Sequence, residues 1–292
     1  MQNSYPRIKI PVQIFFSIIS IFWIIHVLKG IDWNITGESM SNLSIPWLTA
    51  CLFSGVLIYS TRLFRLRYWV HGLSSKRLSI KKWIDLYLKS AAFGSITPAR
   101  LGDFSRIGLI VKTDLNLALR SKIIFYDKIA DLLYIPLGIC LTSKTVAQTL
   151  NIPLGWIFTA GLLSLLAYLL FSFWFAGFLG FRAILAGWII TVPGLCLFIL
   201  ANSFLFWSVG INLAMLEVAA ITLSAGIIAS LPISVGGIGV REGSLIFFLG
   251  LWGIEPEATP PVLLLEFLVN MVFPVALYIF WILCINIKKY LA

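Results

Sequence analysis

The sequence predicts an all-α, polytopic membrane protein of about six full spans and two re-entrant broken-helix hairpins. Three observations carry this. The chain is 60% hydrophobic and 12% charged, with a mean hydropathy of +0.97, outside the range of soluble domains. Several stretches reach the roughly 20 apolar residues that a hydrocarbon core requires: Ile10–Leu28, Gly155–Phe181, Ala183–Leu216, Val218–Val240 and Phe267–Ile287. Two apolar stretches are broken by proline and glycine and carry charge beside the break.

The first span, about Ile10–Leu28, lacks a small-x-small cleavage pattern and is read as a retained span. A second, about Ile45–Thr61, returns. The segment Arg62–Lys122 then carries 13 of the 22 Lys and Arg against three acids, Asp85, Asp103 and Asp114, so by the positive-inside rule it faces the cytoplasm. Arg7, Lys9, Arg182, Lys288 and Lys289 then belong on the same side, which puts both termini in the cytoplasm. Within this segment "KKWIDLYLKSAAFGSITPARLGDFSRIGLIVK" breaks at Pro98 and Gly102, and neither arm is long enough to cross. It is expected to dip in as a hairpin, with the residues between Arg62 and Lys82 lying against the inner leaflet.

A third span, about Ile123–Leu141, carries Asp127, Lys128 and Asp131 at its inner end, the two acids sharing a face at i, i+4 spacing. They are expected either to hold this span to the hairpins as a buried ion-pair network or to line a substrate path. A fourth span, about Gly155–Phe181, precedes the uncharged run Ala183–Leu216, whose roughly 51 Å of helix exceeds one crossing. That run therefore holds a fifth span and the start of a second hairpin, roughly Leu213–Ile254. The last span, about Phe267–Ile287, ends at Lys288, and Glu266 opens it as an interfacial anchor or a site residue.

The order span, span, broken hairpin, span thus occurs twice, in halves 1–143 and 144–292 of one transmembrane domain spanning 1–292. The copies start on opposite sides, the inverted-topology pattern in which paired broken segments mark a binding site near the midplane. In the second hairpin, "SLPISVGGIGVREGS", Pro232 and the glycines Gly236, Gly237 and Gly239 break the helix. Such backbone is tolerated at membrane depth only when buried in protein or lining a wet cavity. The arm resuming near Val240 offers helix N–H groups to an anion, and Arg241 adds a forked donor suited to phosphate. Glu242 is expected to neutralise Arg241 when the site is empty. Arg100, Asp103 and Arg106 occupy the corresponding place in the first hairpin, and with Lys128, Asp131, Arg241 and Glu242 they form the candidate substrate-binding set.

Other chemistries find no support. His26 and His71 have no HExxH or Cys partner, and no GxSxG, GxxxxGK[ST] or GxGxxG opening a soluble βαβ unit occurs. No metal or cofactor is expected, and the basic balance is assigned to anionic lipid, not nucleic acid. The four cysteines, Cys51, Cys140, Cys196 and Cys284, are expected to be core residues.

Three stretches, "SITPARLGDFSR", "YDKIADLL" and "LPISVGGIGVREG", resemble in order and spacing the signatures of the lysylphosphatidylglycerol synthase transmembrane-region family, over most of the chain. Asp103 stands where a glutamate is usual, Asp127 and Lys128 where Glu and Arg are usual, and Val235 where a second proline often sits. The best-known relatives are implicated in flipping an aminoacylated phosphatidylglycerol that a separate soluble domain makes, and that domain is expected to be missing from a chain ending at Ala292. The resemblance therefore implies a non-enzymatic inner-membrane protein that moves an anionic or modified lipid, or a lipid-linked head group, between leaflets. The alternatives are a non-catalytic partner of a glycosyltransferase or lipid-modifying enzyme, and an enzyme acting on a lipid-linked phosphate.

Overall fold

The computed structural model describes residues 37, 40–110, 113–229, 240–255 and 258–290, with side chains except at 96, 98–101, 229 and 287–290. The first expected span, Ile10–Leu28, lies outside them. All regular elements among the described residues are helices. Four of them are long and apolar enough to cross a membrane: Ile45–Leu73, Leu154–Leu179, Phe181–Ser208 and Pro260–Asn286.

Helix α1, Ile45–Leu73, is 29 residues long and runs well past the expected end at Thr61. Its last three turns carry Arg62, Arg65 and Arg67, so these residues do not lie flat on the leaflet: Arg65 is buried and Arg62 and Arg67 are half-buried. Helix α2, Ile80–Ile96, stops because Thr97, which precedes Pro98, is extended at φ −106°, ψ 147°, as proline imposes on its neighbour. A 3-10 segment, Pro98–Ser105, and the short α3, Arg106–Leu109, complete the first break. Thr97 Oγ1 accepts from Gly102 N at 2.7 Å, closing the turn. A Cβ on Gly102 would run into the backbone of Phe93 and Gly94. Close approach, more than torsional freedom, is what this glycine supplies.

The expected third span is two helices. Helix α4, Leu117–Asp131, is capped by Asn116, whose side chain accepts from Leu119 N at 2.8 Å. Helix α5, Tyr134–Leu150, follows after Leu132 and Leu133 and ends at left-handed Asn151 (φ 52°), two residues before Pro153. Helices α6, Leu154–Ala176, and α7, Phe181–Ser208, are joined at Gly180, whose φ of 79° suits glycine. Helices α8, Met215–Ala229, and α9, Val240–Leu251, flank the second expected break. Helix α10, Pro260–Phe267, a π-helical turn, Leu268–Val272, and α11, Phe273–Tyr290, form one continuous run that starts before the expected Phe267.

Packing follows from these faces. α1 and α7 lie antiparallel along most of their length: Trp69 Nε1 donates to Ala183 O at 2.9 Å near one end, and Ser44 N donates to Ser208 O at 2.8 Å at the other. Gly187 makes this possible, because a Cβ there would strike the Trp69 indole. α11 packs on α2, and α5 packs on both α6 and α8. α6 turns a long apolar surface outward, with Leu163, Leu166 and Leu170 exposed. Its two exposed tryptophans, Trp156 and Trp174, are separated by about 27 Å of helix rise, close to the roughly 30 Å of a hydrocarbon core. Tryptophans are enriched at the two bilayer interfaces, and this spacing fits one at each. Of the cysteines, Cys51 is buried as expected, whereas Cys196 is exposed on the apolar surface of α7.

Beyond the Trp174 end, the loop joining α1 to α2 is tied down by Asp114. Both Ser74 and Ser75 hydroxyls donate to its carboxylate, joined by Ser75 N at 3.1 Å. These bonds, from Ser74 first, hold the Asp114 carboxyl well below the ordinary carboxylate range. A group depressed in the folded state contributes stability above its unfolded pKa of about 3.9, and loses it as pH falls towards the folded value. Asp114→Asn is therefore expected to speed amide exchange at residues 74–79 at neutral pH. The difference from the parent should shrink progressively below about pH 4.

Candidate functional site

Charge inside a membrane helix demands a partner, and the described residues meet that demand in two clusters. The larger centres on Asp127 of α4. Arg65 of α1 donates from Nη2 to Asp127 Oδ1 at 2.7 Å and to Asp127 O at 2.9 Å, from Nε to Oδ1 at 3.0 Å, and from Nη1 to Thr191 Oγ1 at 2.9 Å. Arg106, just past the first break, donates from Nη1 to Asp127 Oδ2 at 2.9 Å and from Nη2 to Asp103 Oδ1 at 3.1 Å. Its Nε donates to Ser90 Oγ at 2.6 Å, and its guanidinium stacks on Tyr87 with the ring centroid 4.2 Å away. Each oxygen of one carboxylate thus holds an arginine from a different element.

The edges of this cluster are wetter. Asp131 accepts from Arg65 Nη2 at 2.8 Å and lies 3.5 Å from Arg62 Nε. Lys128 pairs with Asp103. Among the described residues four cations, Arg62, Arg65, Arg106 and Lys128, therefore meet three carboxylates, Asp103, Asp127 and Asp131, a positive surplus. Asp127 and Asp131, at i, i+4 spacing, both accept from Arg65 and so join one ion-pair network.

The second cluster is smaller. Arg241, at the start of α9, pairs with the buried Glu266 of α10. Asn270 Nδ2 donates to Glu266 Oε2 at 2.6 Å and to Glu266 O at 2.8 Å, bridging the π-helical turn. The acid seen to hold Arg241 is thus Glu266, from the next helix, alongside the Glu242 expected from the sequence. Glu266, expected as an interfacial anchor or a site residue, is buried in this second cluster.

A cavity of about 120 Å³ lies between the clusters, lined among others by Arg62, Glu266, Asn270, Asn202, Tyr59 and Cys51. It has room for a phosphate-sized group or about four waters, at roughly 30 Å³ each. Tyr59 stands at the middle of α1, so the cavity is deep in the bundle.

Of the residues singled out from sequence, the structure therefore brings together Asp103, Arg106, Lys128 and Asp131, and sets Arg241 in the second cluster. Arg100 and Pro98 lie in the 3-10 segment with side chains not described, and Gly102 packs within it. Pro232, Gly236, Gly237 and Gly239 lie outside the described residues, so their expected approach to the first break does too. Sequence reasoning missed Arg62, Arg65, Ser90, Thr191 and Asn270. The signal for the two arginines was present: "IYSTRLFRLRYWV" continues the apolar helix straight through them. Among the described residues no group of three His, Cys, Asp or Glu could hold a metal ion.

Removing one member of a buried pair strands the other. Asp127→Asn is expected to destabilise the protein by about 3–5 kcal/mol. Lys128→Gln, whose side chain is 28% exposed, should cost about 1 kcal/mol or less. Denaturation in one detergent should rank the two in that order.

Residues 10–277 match the family model described as the lysylphosphatidylglycerol synthase TM region, so the match takes in both clusters and the cavity between them. Among curated proteins none matches the chain.

Proposed function

Because the chain belongs to the lysylphosphatidylglycerol synthase transmembrane-region family, and is an integral membrane protein with a membrane-lipid-related role, we propose that it moves an anionic lipid head group across the bilayer without altering it covalently. One observation carries this reading. Each hairpin arginine, Arg106 and Arg241, is held by an acid on the helix run that follows it, Asp127 on α4 and Glu266 on α10. A cavity lies between the two pairs.

The relation is what an inverted repeat produces. Contacts between the halves support it, since they exchange equivalent partners: α11 of the second half packs on α2, α5 of the first half packs on α8, and α1 packs on its counterpart α7. On this reading the chain crosses the inner membrane six times with both termini cytoplasmic. The clusters then sit where the two hairpins enter from opposite faces. An incoming phosphate would take over the guanidinium forks that the carboxylates hold in its absence, with the net positive charge of the first cluster favouring its entry. The narrow cavity corresponds to the closed state, so passage requires the ion pairs to part.

Replacing Arg241 by Gln tests this in proteoliposomes carrying a labelled anionic lipid. Leaflet exchange is expected to fall about tenfold or more, the equivalent of about 1.4 kcal/mol. Because this change also leaves the buried Glu266 carboxylate without its cation, the double variant Arg241→Gln/Glu266→Gln, which removes both charges, is the comparison for stability and is expected to be equally slow. Arg241→Lys should restore part of the rate. Exchange as fast in Arg241→Gln as in the parent would overturn the assignment.

A further inference from the structure

Not every arginine of the bundle is neutralised. Arg62, Arg65, Arg106 and Arg241 all pair with carboxylates, but among the described residues no carboxylate pairs with Arg67, Arg77 or Arg182. These three line a single groove of about 1040 Å³ at the end of α1 and the turn between α6 and α7. Arg67 Nε is buried there and meets no acceptor from the described protein. A buried donor without a partner is costly.

The position of the groove says what could supply the acceptor. Arg182 follows shortly after Trp174, the tryptophan that marks one edge of the hydrocarbon core, so the groove opens at the level of head groups. Its other walls are apolar: Phe64, Tyr68 and Phe181 are all exposed. Cationic forks at head-group depth beside an exposed apolar strip match a phospholipid, whose phosphate and acyl chains are joined at that spacing. His71 lines the same groove and accepts a hydrogen bond from Trp83 Nε1 at 3.1 Å on its Nε2, which leaves the neutral ring with its N–H on Nδ1.

We propose that this groove binds an anionic glycerophospholipid carrying two phosphates, held by Arg67, Arg77 and Arg182, at a site separate from the cavity between the ion-pair clusters. Two phosphates follow from the charge: three guanidinium groups exceed what one phosphodiester balances, and the groove is large enough for a doubled head group. The turn that shapes it depends on Gly180, and the loop that brings in Arg77 is the one Asp114 ties down.

Photoactivatable cardiolipin, phosphatidylglycerol and phosphatidylcholine, each doped into phosphatidylcholine vesicles holding the full chain, provide the test. Cardiolipin should label residues 64–77 and 179–190 most strongly and phosphatidylcholine least. Retention of cardiolipin in native mass spectrometry should fall about fivefold for each of Arg67→Gln, Arg77→Gln and Arg182→Gln, as about 1 kcal/mol per basic residue near an anionic surface implies. Equal labelling by the three lipids, or adducts only elsewhere on the chain, overturns the proposal without requiring any variant to fold. Displacement of cardiolipin by inorganic phosphate overturns the choice of a lipid occupant. Groove labelling should persist in Arg241→Gln, so failure here and failure of the transport reading are told apart.

Discussion

Asp127 holds two arginines from two separate elements, and it does so where no bulk water is at hand. Its Oδ1 faces Arg65 of α1 and its Oδ2 faces Arg106 from the far side of the first break. Each charge has left a high-dielectric environment at a cost of several kcal/mol, and only the mutual attraction with full hydrogen bonding offsets that. The relative positions of α1, α4 and the broken hairpin follow from this one carboxylate. The remaining contacts serve the same end: Ser90 and Tyr87 on α2 occupy Arg106, and Thr191 on α7 occupies the last face of Arg65. A buried ionic cluster is weak evidence for stability, since apolar residues of similar volume often do as well. Its presence in a chain this apolar points to a constraint other than stability, such as a demand for partners that can be exchanged.

The helical character and the membrane class were legible because both rest on local composition. The end of α2 at Ile96 has a local cause, since proline at 98 restricts the conformation of Thr97 whatever surrounds it. Boundaries failed where tertiary partners override local pattern. Arg62 and Arg65 read as the beginning of a surface segment, but α1 continues through them because Asp127 and Asp131, more than sixty residues away in sequence, absorb their charge. No local property of α1 contains that information. The interruption at Leu132–Leu133 was invisible for the opposite reason: the residues there are apolar and good helix formers. Glu266 was ambiguous in sequence because its partner Arg241 lies 25 residues away, and Glu242, Glu255 and Glu257 between them are equally plausible partners by composition.

The turns of α1 separate two kinds of arginine by geometry alone. At 100° per residue, Arg62 and Arg65 fall about 60° apart on one face, while Arg67 lies about 140° from Arg62. The inward face meets acids, whereas Arg67 lines the groove and, among the described residues, meets no carboxylate. The basic balance of +10 is therefore not one property. Part of it is cancelled inside the bundle, and part, on the proposal of a lipid-binding groove, would attract anionic lipid.

The interior charges also limit how the cavity can change. Arg62 and Glu266 both line it, each already engaged on its other side, Arg62 with Asp131 and Glu266 with Arg241 and Asn270. An anion entering between them would be drawn to Arg62 and repelled by Glu266. It is accommodated only if Glu266 stays neutralised by Arg241 or turns away with it. On the proposed transport reading, movement of α9, which carries Arg241, would be coupled to what the cavity holds, and the π-helical turn at Leu268–Val272 is the irregular segment beside it. With Arg62 of one cluster and Glu266 of the other lining the same cavity of about 120 Å³, an anion held there would be exposed to the charge of both.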